Sequence, residues 1–464
     1  MKENDKLHAL GHEPIGKLLV RYSLPAIAGM VIFSLYNVID SIFIGHGVGS
    51  MAISGLAVAF PLMNLEFAFG LLVGIGGAAT ISLKMGAGDM EGAFKVLGNV
   101  VKLGLIVAVV FGGISLLFLD EILIAFGAST ETLPYARDFM HIILMGLPVT
   151  YIMFNLNHLM RATGYPQKAM LSSVVTVVVN IAVAPIFIFS FGWGVKGAAL
   201  ATMIAQVSGM IWVLSHFFNK ANTVHFRKGI YQLSWKIVGN ILAIGMSPFF
   251  VNVCGCLVVI ILNAGLKNYG GDMAIGAFGV INRVLMLMVM AVIGLTQGMQ
   301  PIIGFNYGAR KYDRALQTLK YGLIAAAIFM AVGEVAAMMS PHSIAGVFTD
   351  DPELIDFAVT GIYYTMLVLP LVGFQIVIQN FFQAIGKAKI AILLSTTRQL
   401  VLLVPCLLIL HKFWGLTGIW ASIPLTDTLA FLLSAMVLFV FWKHHLKPKM
   451  QTPSSDSKNS EVSV

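Results

Sequence analysis

Charged residues are scarce in this chain: 11% of its 464 residues are Asp, Glu, Lys or Arg, where a soluble domain carries about a quarter. That shortage excludes an ordinary water-facing globular protein. Cysteine is scarcer still, and Cys254, Cys256 and Cys406 all fall inside apolar stretches. Cys254-Gly-Cys256 lacks CxxC spacing and has no nearby His or Cys to complete a metal site. The three therefore read as small buried apolar residues without a disulfide. Enzyme motifs are missing where they would be informative. There is no Walker A sequence, no nucleophile elbow and no paired metal-ligand motif. ATP-driven pumping by this chain itself is excluded, no reaction chemistry is supported, and no cofactor is expected. The net charge of +8 is spread over short loops rather than gathered in an arm, so it argues against a nucleic-acid partner.

Long apolar runs are what remains. The chain is 58% hydrophobic, with mean hydropathy +0.88 and 46 glycines, the composition of packed transmembrane helices. Taking roughly 20 residues as the spanning length, twelve runs can be drawn, near 18–44, 53–82, 96–119, 135–160, 168–190, 194–217, 238–265, 273–304, 316–339, 354–383, 390–410 and 415–442. The expected fold class is an all-α integral membrane protein of twelve transmembrane helices. The N-terminus lacks a short apolar region followed by a cleavage site, so the first run is expected to be a retained span. Alternate loops hold 23 of the 29 basic residues, which by the positive-inside rule puts both termini in the cytoplasm.

The chain also repeats itself. Leu147-Pro148 matches Leu369-Pro370 at a shift of 222, and Ala162, Gly164 and Ala169 match Ala384, Gly386 and Ala391. Gly86-Ala87 matches Gly308-Ala309 at the same shift. Trp193-Gly194 matches Trp414-Gly415 at 221, and Pro25 matches Pro248 at 223. The expected organisation is an N-terminal six-helix bundle (1–217), a cytoplasmic linker (218–237), a C-terminal six-helix bundle (238–442) and a disordered cytoplasmic tail (443–464). Six is even, so the bundles insert alike and are related by a pseudo-two-fold axis along the membrane normal. Secondary transporters use parallel repeats of this kind, with a site between the halves.

Polar side chains inside the spans are costly, and so point to function. Asp40 is a carboxylate in the first run, with Tyr36 and Asn37 one turn before it on the same face. Asn180 in run 5 and Thr202 in run 6 fall at a comparable depth, while Asn157 in run 4 lies nearer the cytoplasmic end. A carboxylate with amide and hydroxyl oxygens can hold a small hard cation, and a desolvated Asp can take up and release a proton. The bland reading is a buried polar tie between helices. The repeat puts Leu262 or Asn263 opposite Asp40, so coupling chemistry in the first half alone is the economical reading. Glu66 in run 2 is the competing acid. Arg398 and Asp427 overlap in depth and read as a structural ion pair. His141 and His158 read as packed polar groups.

These residues resemble the multidrug and toxic compound extrusion (MATE) family. The resemblance covers roughly 15–442. It rests on LYNVIDSIFIG in run 1, MGAGD at 85–89, LMRATGYPQKAM at 159–170, NIAVAPIFIF at 180–189, GWGVKGAALAT ending at Thr202, YGAR at 307–310 and FWGLTGIW at 413–420. It implies two bundles around a central cavity in the cell membrane, and efflux of cationic or amphiphilic drug-like compounds in exchange for H⁺ or Na⁺. The family's cation or proton site maps onto Tyr36, Asp40, Asn157, Asn180 and Thr202. There is one departure: the family commonly reads N-x-x-x-D-P in run 5, and here Ala184 stands before Pro185 in place of that second carboxylate. That loss weakens a Na⁺ site more than a proton carrier, so H⁺ coupling is expected, with no metal beyond a transient Na⁺. The expected unit is a monomer. The alternative reading is a flippase or exporter of a lipid-linked or amphiphilic metabolite.

Overall fold

The computed structural model describes the backbone of residues 3–349 and 351–451, with side chains throughout except at 3–7, 33–42, 45, 46, 50, 272 and 451. All regular structure among the described residues is helical. The first half comprises α1 (Glu3–His12), α2 (Ile15–Gly47), α3 (Ser50–Gly86), α4 (Met90–Leu117), α5 (Leu119–Ala125), α6 (Leu133–Met145), α7 (Leu147–Ala162), α8 (Pro166–Pro185) and α9 (Gly194–Phe218). A non-helical link over 219–234 leads into the second half. That half comprises α10 (Trp235–Gly308), α11 (Tyr312–Met339), α12 (Pro341–Gly346), α13 (Pro352–Thr365), α14 (Leu369–Ala384), α15 (Ala388–Thr396), α16 (Val404–Phe441) and α17 (Lys447–Gln451).

Among the described residues nine stretches are long and apolar enough to cross a bilayer, and two bent helix pairs make two more spans. One of the nine, Ala388–Met450, is 63 residues long and holds Gly415 at φ 56°, a backbone open to glycine. In a straight helix Arg398 and Asp427 would stand about 43 Å apart. Instead, Arg398 Nε and Asp427 Oδ1 lie 2.8 Å apart, so the stretch is a hairpin of two spans. Twelve spans result. The runs expected at 135–160 and 354–383 are each broken, bending by 59° between α6 and α7 and by 55° between α13 and α14. The matched Leu-Pro pairs explain both breaks: Pro148 and Pro370 occupy the first turns of α7 and α14, where a missing N–H costs no helical bond. At the other end, α16 runs on through a π-helical turn, Trp442–Leu446, into α17. The disordered tail expected from 443 therefore needs correction as far as 451, while 452–464 lie outside the described residues.

The two halves meet along α2, α3 and α10, and most tightly at the face that carries α1, α17 and the link. We call it the basic face, after its lysines and arginines. Glycines let backbone touch backbone there. A Cβ on Gly86 would collide with the Phe305 carbonyl, and one on Gly308 with the Leu83 carbonyl. Each residue of that pair of contacts is the repeat partner of one in the other, so the pseudo-two-fold axis passes between the ends of α3 and α10. Gly76 against Ile241 and Gly245, and Gly298 against Ser23, form a second related pair. Hydrogen bonds add to the seal. Ser23 Oγ donates to the Leu295 carbonyl at 3.1 Å and Gln300 Nε2 to the Ile75 carbonyl at 3.3 Å.

Helix α1 belongs to the first half by sequence, yet it is bonded to the second. Asn306 Nδ2 and Arg314 Nη2 donate to the Leu10 carbonyl at 3.0 and 3.2 Å, Arg314 also reaches the Glu13 carbonyl at 2.7 Å, and Lys311 Nζ donates to that of Gly11 at 3.0 Å. These donors satisfy carbonyls that a helix C-terminus leaves unpaired.

On the same face, the MGAGD loop turns α3 into α4. Asp89 caps α4 by accepting from Gly92 N at 2.8 Å, and Lys84 Nζ reaches its other oxygen at 2.6 Å. The Lys84 bond first, and the Gly92 N–H second, hold the Asp89 carboxyl below its usual range. A depressed folded value means that the stabilisation is present above the unfolded pKa and lost as pH falls through the folded one. Losing a cap of this kind costs about 1 kcal/mol. Asp89→Ala should thus lower the melting temperature at pH 7, and the gap from wild type should close as the pH is taken into the acid range; a gap independent of pH would refute this assignment.

Candidate functional site

Asn180, Thr202 and Gln206 gather on α8 and α9, at or beyond mid-span from the basic face. Pro185 ends α8 and cannot bond back along the helix, and the chain continues as a π-helical turn, Ile186–Ser190. One helical turn and a residue earlier, Asn180 is 1% exposed. Its Nδ2 donates to Thr202 Oγ1 on α9 at 3.3 Å, while its Oδ1 is buried with no partner among the described residues. Gln206, one turn along α9 from Thr202, also has a buried Oε1 with no partner among the described residues. The sequence reading passed over Gln206, although its i+4 spacing from Thr202 puts it on the same helix face.

Helix α2 packs along α8 and α9. Ile44 is buried in one cluster with Ala184, Ile188, Ala198 and Ala201. Backbone position 40 is one turn before Ile44. The side chains of Tyr36 and Asp40 lie outside the described residues. Ala184 is fully buried in that apolar cluster, so the position where the family resemblance implied a second carboxylate does packing here.

Asn157 stands apart. Its Nδ2 donates to the Ala169 carbonyl at 2.8 Å and to Ser172 Oγ at 2.6 Å, and its Oδ1 accepts from Arg161 Nη2 at 2.7 Å. Ser172 and Asn180 are about 12 Å apart along α8, so the structure does not bring Asn157 to Asn180 and Thr202. Glu66, 8% exposed, sits one turn from Gly70, whose near neighbours are Tyr151 and Phe154 of α7. Tyr151 Oη donates to the Glu66 carbonyl at 2.7 Å. Its helix face thus turns into the first half, and among the described residues no Lys or Arg pairs with it.

In the second half, Arg398 lies on a π-helical turn, Thr397–Leu403, and both Nε and Nη2 approach Asp427 Oδ1 at 2.8 Å. The Asp427 side chain is 4% exposed and that of Arg398 31%. Removing either partner would leave a buried, uncompensated charge.

Two six-helix halves of like orientation, sealed against each other at one face, with a buried polar cluster in one of them, have the layout of a secondary transporter. Comparison with known proteins makes this specific. The MatE family pattern matches residues 25–186 and again 243–408, and the chain belongs to that family of membrane transporters. It is 29% identical over 442 residues to the multidrug export protein MepA of Staphylococcus haemolyticus, covering 94% of this chain and 96% of that protein. The Staphylococcus aureus MepA is 27% identical over 443 residues, with the same coverage. Among solved structures, the MATE multidrug transporter DinF-BH superposes with a TM-score of 0.86 at 35% identity, covering 93% of this chain and 97% of that one. An outward-facing multidrug resistance MATE transporter superposes with a TM-score of 0.89 at 25% identity, covering 96% of this chain and all of that one.

Proposed function

We propose that this chain is a secondary active multidrug exporter, moving cationic or amphiphilic compounds outward in exchange for protons by alternating access of its two halves. The observation that carries this reading is the seal at the basic face. Reciprocal glycine–carbonyl contacts and a few hydrogen bonds close that face, and such contacts can be made and broken as rigid halves rock. With the basic face cytoplasmic, as its lysines and arginines argue, the sealed state is the outward-open one. The cargo follows from the MepA relatives, named for multidrug export, and from DinF-BH, named as a multidrug transporter.

We assign coupling to Asp40 together with Tyr36, Asn180 and Thr202, and read Asn157 as a tie at the base of the same helices. Ala184 leaves the cluster without a second carboxylate. Sodium wants several hard oxygens with matching negative charge, whereas one carboxyl suffices for a proton. The protein works as a monomer in the cell membrane with both termini cytoplasmic.

The test is accumulation of a fluorescent lipophilic cation in inverted vesicles. An imposed gradient, acid inside, should drive uptake, and a sodium gradient without a pH gradient should not. Uptake driven by sodium alone would move the assignment to Na⁺, and no gradient-driven uptake of any cation tried would remove the export reading.

A further inference from the structure

Helices α11, α14 and the end of α16 leave an apolar groove of about 370 Å³ in the second half. Leu316, Leu319, Phe374, Phe431, Ala435 and Trp442 line it, and it opens beside Phe439, which is 59% exposed. Its volume falls in the range of small-molecule sites, ~300–1,000 Å³. The α16 wall extends from Phe431 to Trp442, about 16 Å at the helical rise. That is the depth of one leaflet, half of a hydrocarbon layer ~30 Å thick.

The deep part of the groove is bare hydrocarbon, but its mouth at the basic face is not. The Lys447 ammonium lies 5.7 Å from the ring centre of Trp442, which is itself part of the wall. Lys449 lies 5.7 Å from the ring centre of Tyr312, at the start of α11. Lys320 and Lys443 are exposed on the same two stretches, while Asp313, in the first turn of α11, is the acid on them. An apolar channel one leaflet deep, topped by several lysines and a tryptophan, is complementary to one kind of guest. Neutral lipid would leave the ammonium groups without a counter-charge, and a free anion would leave the groove empty.

We propose that this groove holds an acyl chain of an anionic phospholipid from the leaflet at the basic face, with the phosphate against Lys447 and Lys449. Basic pockets between transmembrane helices bind anionic headgroups in this way. The lipid would tie α11 to the end of α16, and its binding does not depend on which ion drives transport.

The experiment uses the full chain, purified in detergent and stripped of lipid, with tryptophan fluorescence as the readout. Phosphatidylglycerol and phosphatidylcholine carrying brominated acyl chains are titrated in, and the difference between wild type and Trp442→Phe isolates the signal of Trp442. Brominated phosphatidylglycerol should quench it at concentrations roughly thirtyfold lower than phosphatidylcholine, as about two lysines near the phosphate would give. In the doubly substituted variant Lys447→Gln, Lys449→Gln the phosphatidylglycerol curve should move to the phosphatidylcholine curve, which itself stays put. Ala435→Phe, which fills the groove, should remove quenching by both. Equal curves for the two lipids in wild type, a retained preference in the lysine variant, or unchanged quenching in Ala435→Phe would each overturn the proposal. So would relief of the quenching by the transported cation, which would assign the groove to cargo.

Discussion

Replacing Asp40 by Asn should cut proton-driven accumulation in inverted vesicles at least tenfold, a loss equivalent to about 1.4 kcal/mol or more of driving interaction. Asparagine keeps the size of the side chain and its capacity for hydrogen bonds, but it cannot exchange a proton. Coupling is reciprocal: if a proton and the drug compete for one state of the protein, each must weaken the other by the same factor. Drug affinity in the wild type should therefore fall as the pH is lowered through the titration of the coupling acid. In Asp40→Asn that pH dependence should vanish while the protein still folds and binds. The control is Glu66→Gln. Glu66 lies on the helix face that meets Tyr151 and Phe154 within the first half, so its loss should leave the pH dependence of binding in place. Full coupled transport by Asp40→Asn, with loss in Glu66→Gln, would transfer the role to Glu66.

The fold was far more legible in the sequence than the site, for a physical reason. A bilayer imposes its thickness on every span, and the repeat survives at Gly86/Gly308 because a side chain at either place would meet a carbonyl of the opposite half. Hydropathy could not show that Pro148 and Pro370 mark breaks between helices, because a proline read as bending one helix and a proline opening the next look alike in sequence. Helix α1 was missed because its sequence is too polar to span, and its docking depends on Asn306 and Arg314, some three hundred residues away. The pairing of Asn180 with Thr202 could be anticipated from depth alone, since two antiparallel neighbours at one depth must face the same layer. Whether an amide has partners is a different matter. Asn157 and Asn180 are the same residue type in adjacent spans, yet Arg161 and Ser172 occupy the first, while the second keeps an oxygen with no partner among the described residues. Partners of that kind are set by tertiary packing.

The seal gives the other large effect. Alanine in place of a helical glycine ordinarily stabilises a protein by ~0.4–1 kcal/mol, provided the backbone conformation allows it. At Gly86 and Gly308 the sign should reverse, but only for the sealed state. The new Cβ would face the Phe305 or Leu83 carbonyl, and a carbonyl held in its own helix cannot rotate aside as a side chain could. Overpacking of this sort costs about 1–3 kcal/mol, which on a two-state equilibrium is roughly a 5–150-fold shift. Gly86→Ala and Gly308→Ala should each move the halves toward the arrangement open at the basic face, and Gly86→Leu should do so almost completely. Spin labels at Lys95 of α4 and Lys389 of α15, both exposed, report the change as longer and broader distances across that face in double electron–electron resonance. Transport should drop at least tenfold in Gly86→Leu, since a carrier held in one state cannot complete a cycle. Gly88 supplies the control: it sits two residues away at φ 75° with open space around its Cβ position, so Gly88→Asn should leave the distances and the transport rate near wild type. Wild-type distances in Gly86→Leu would mean that the glycine contacts do not hold the seal.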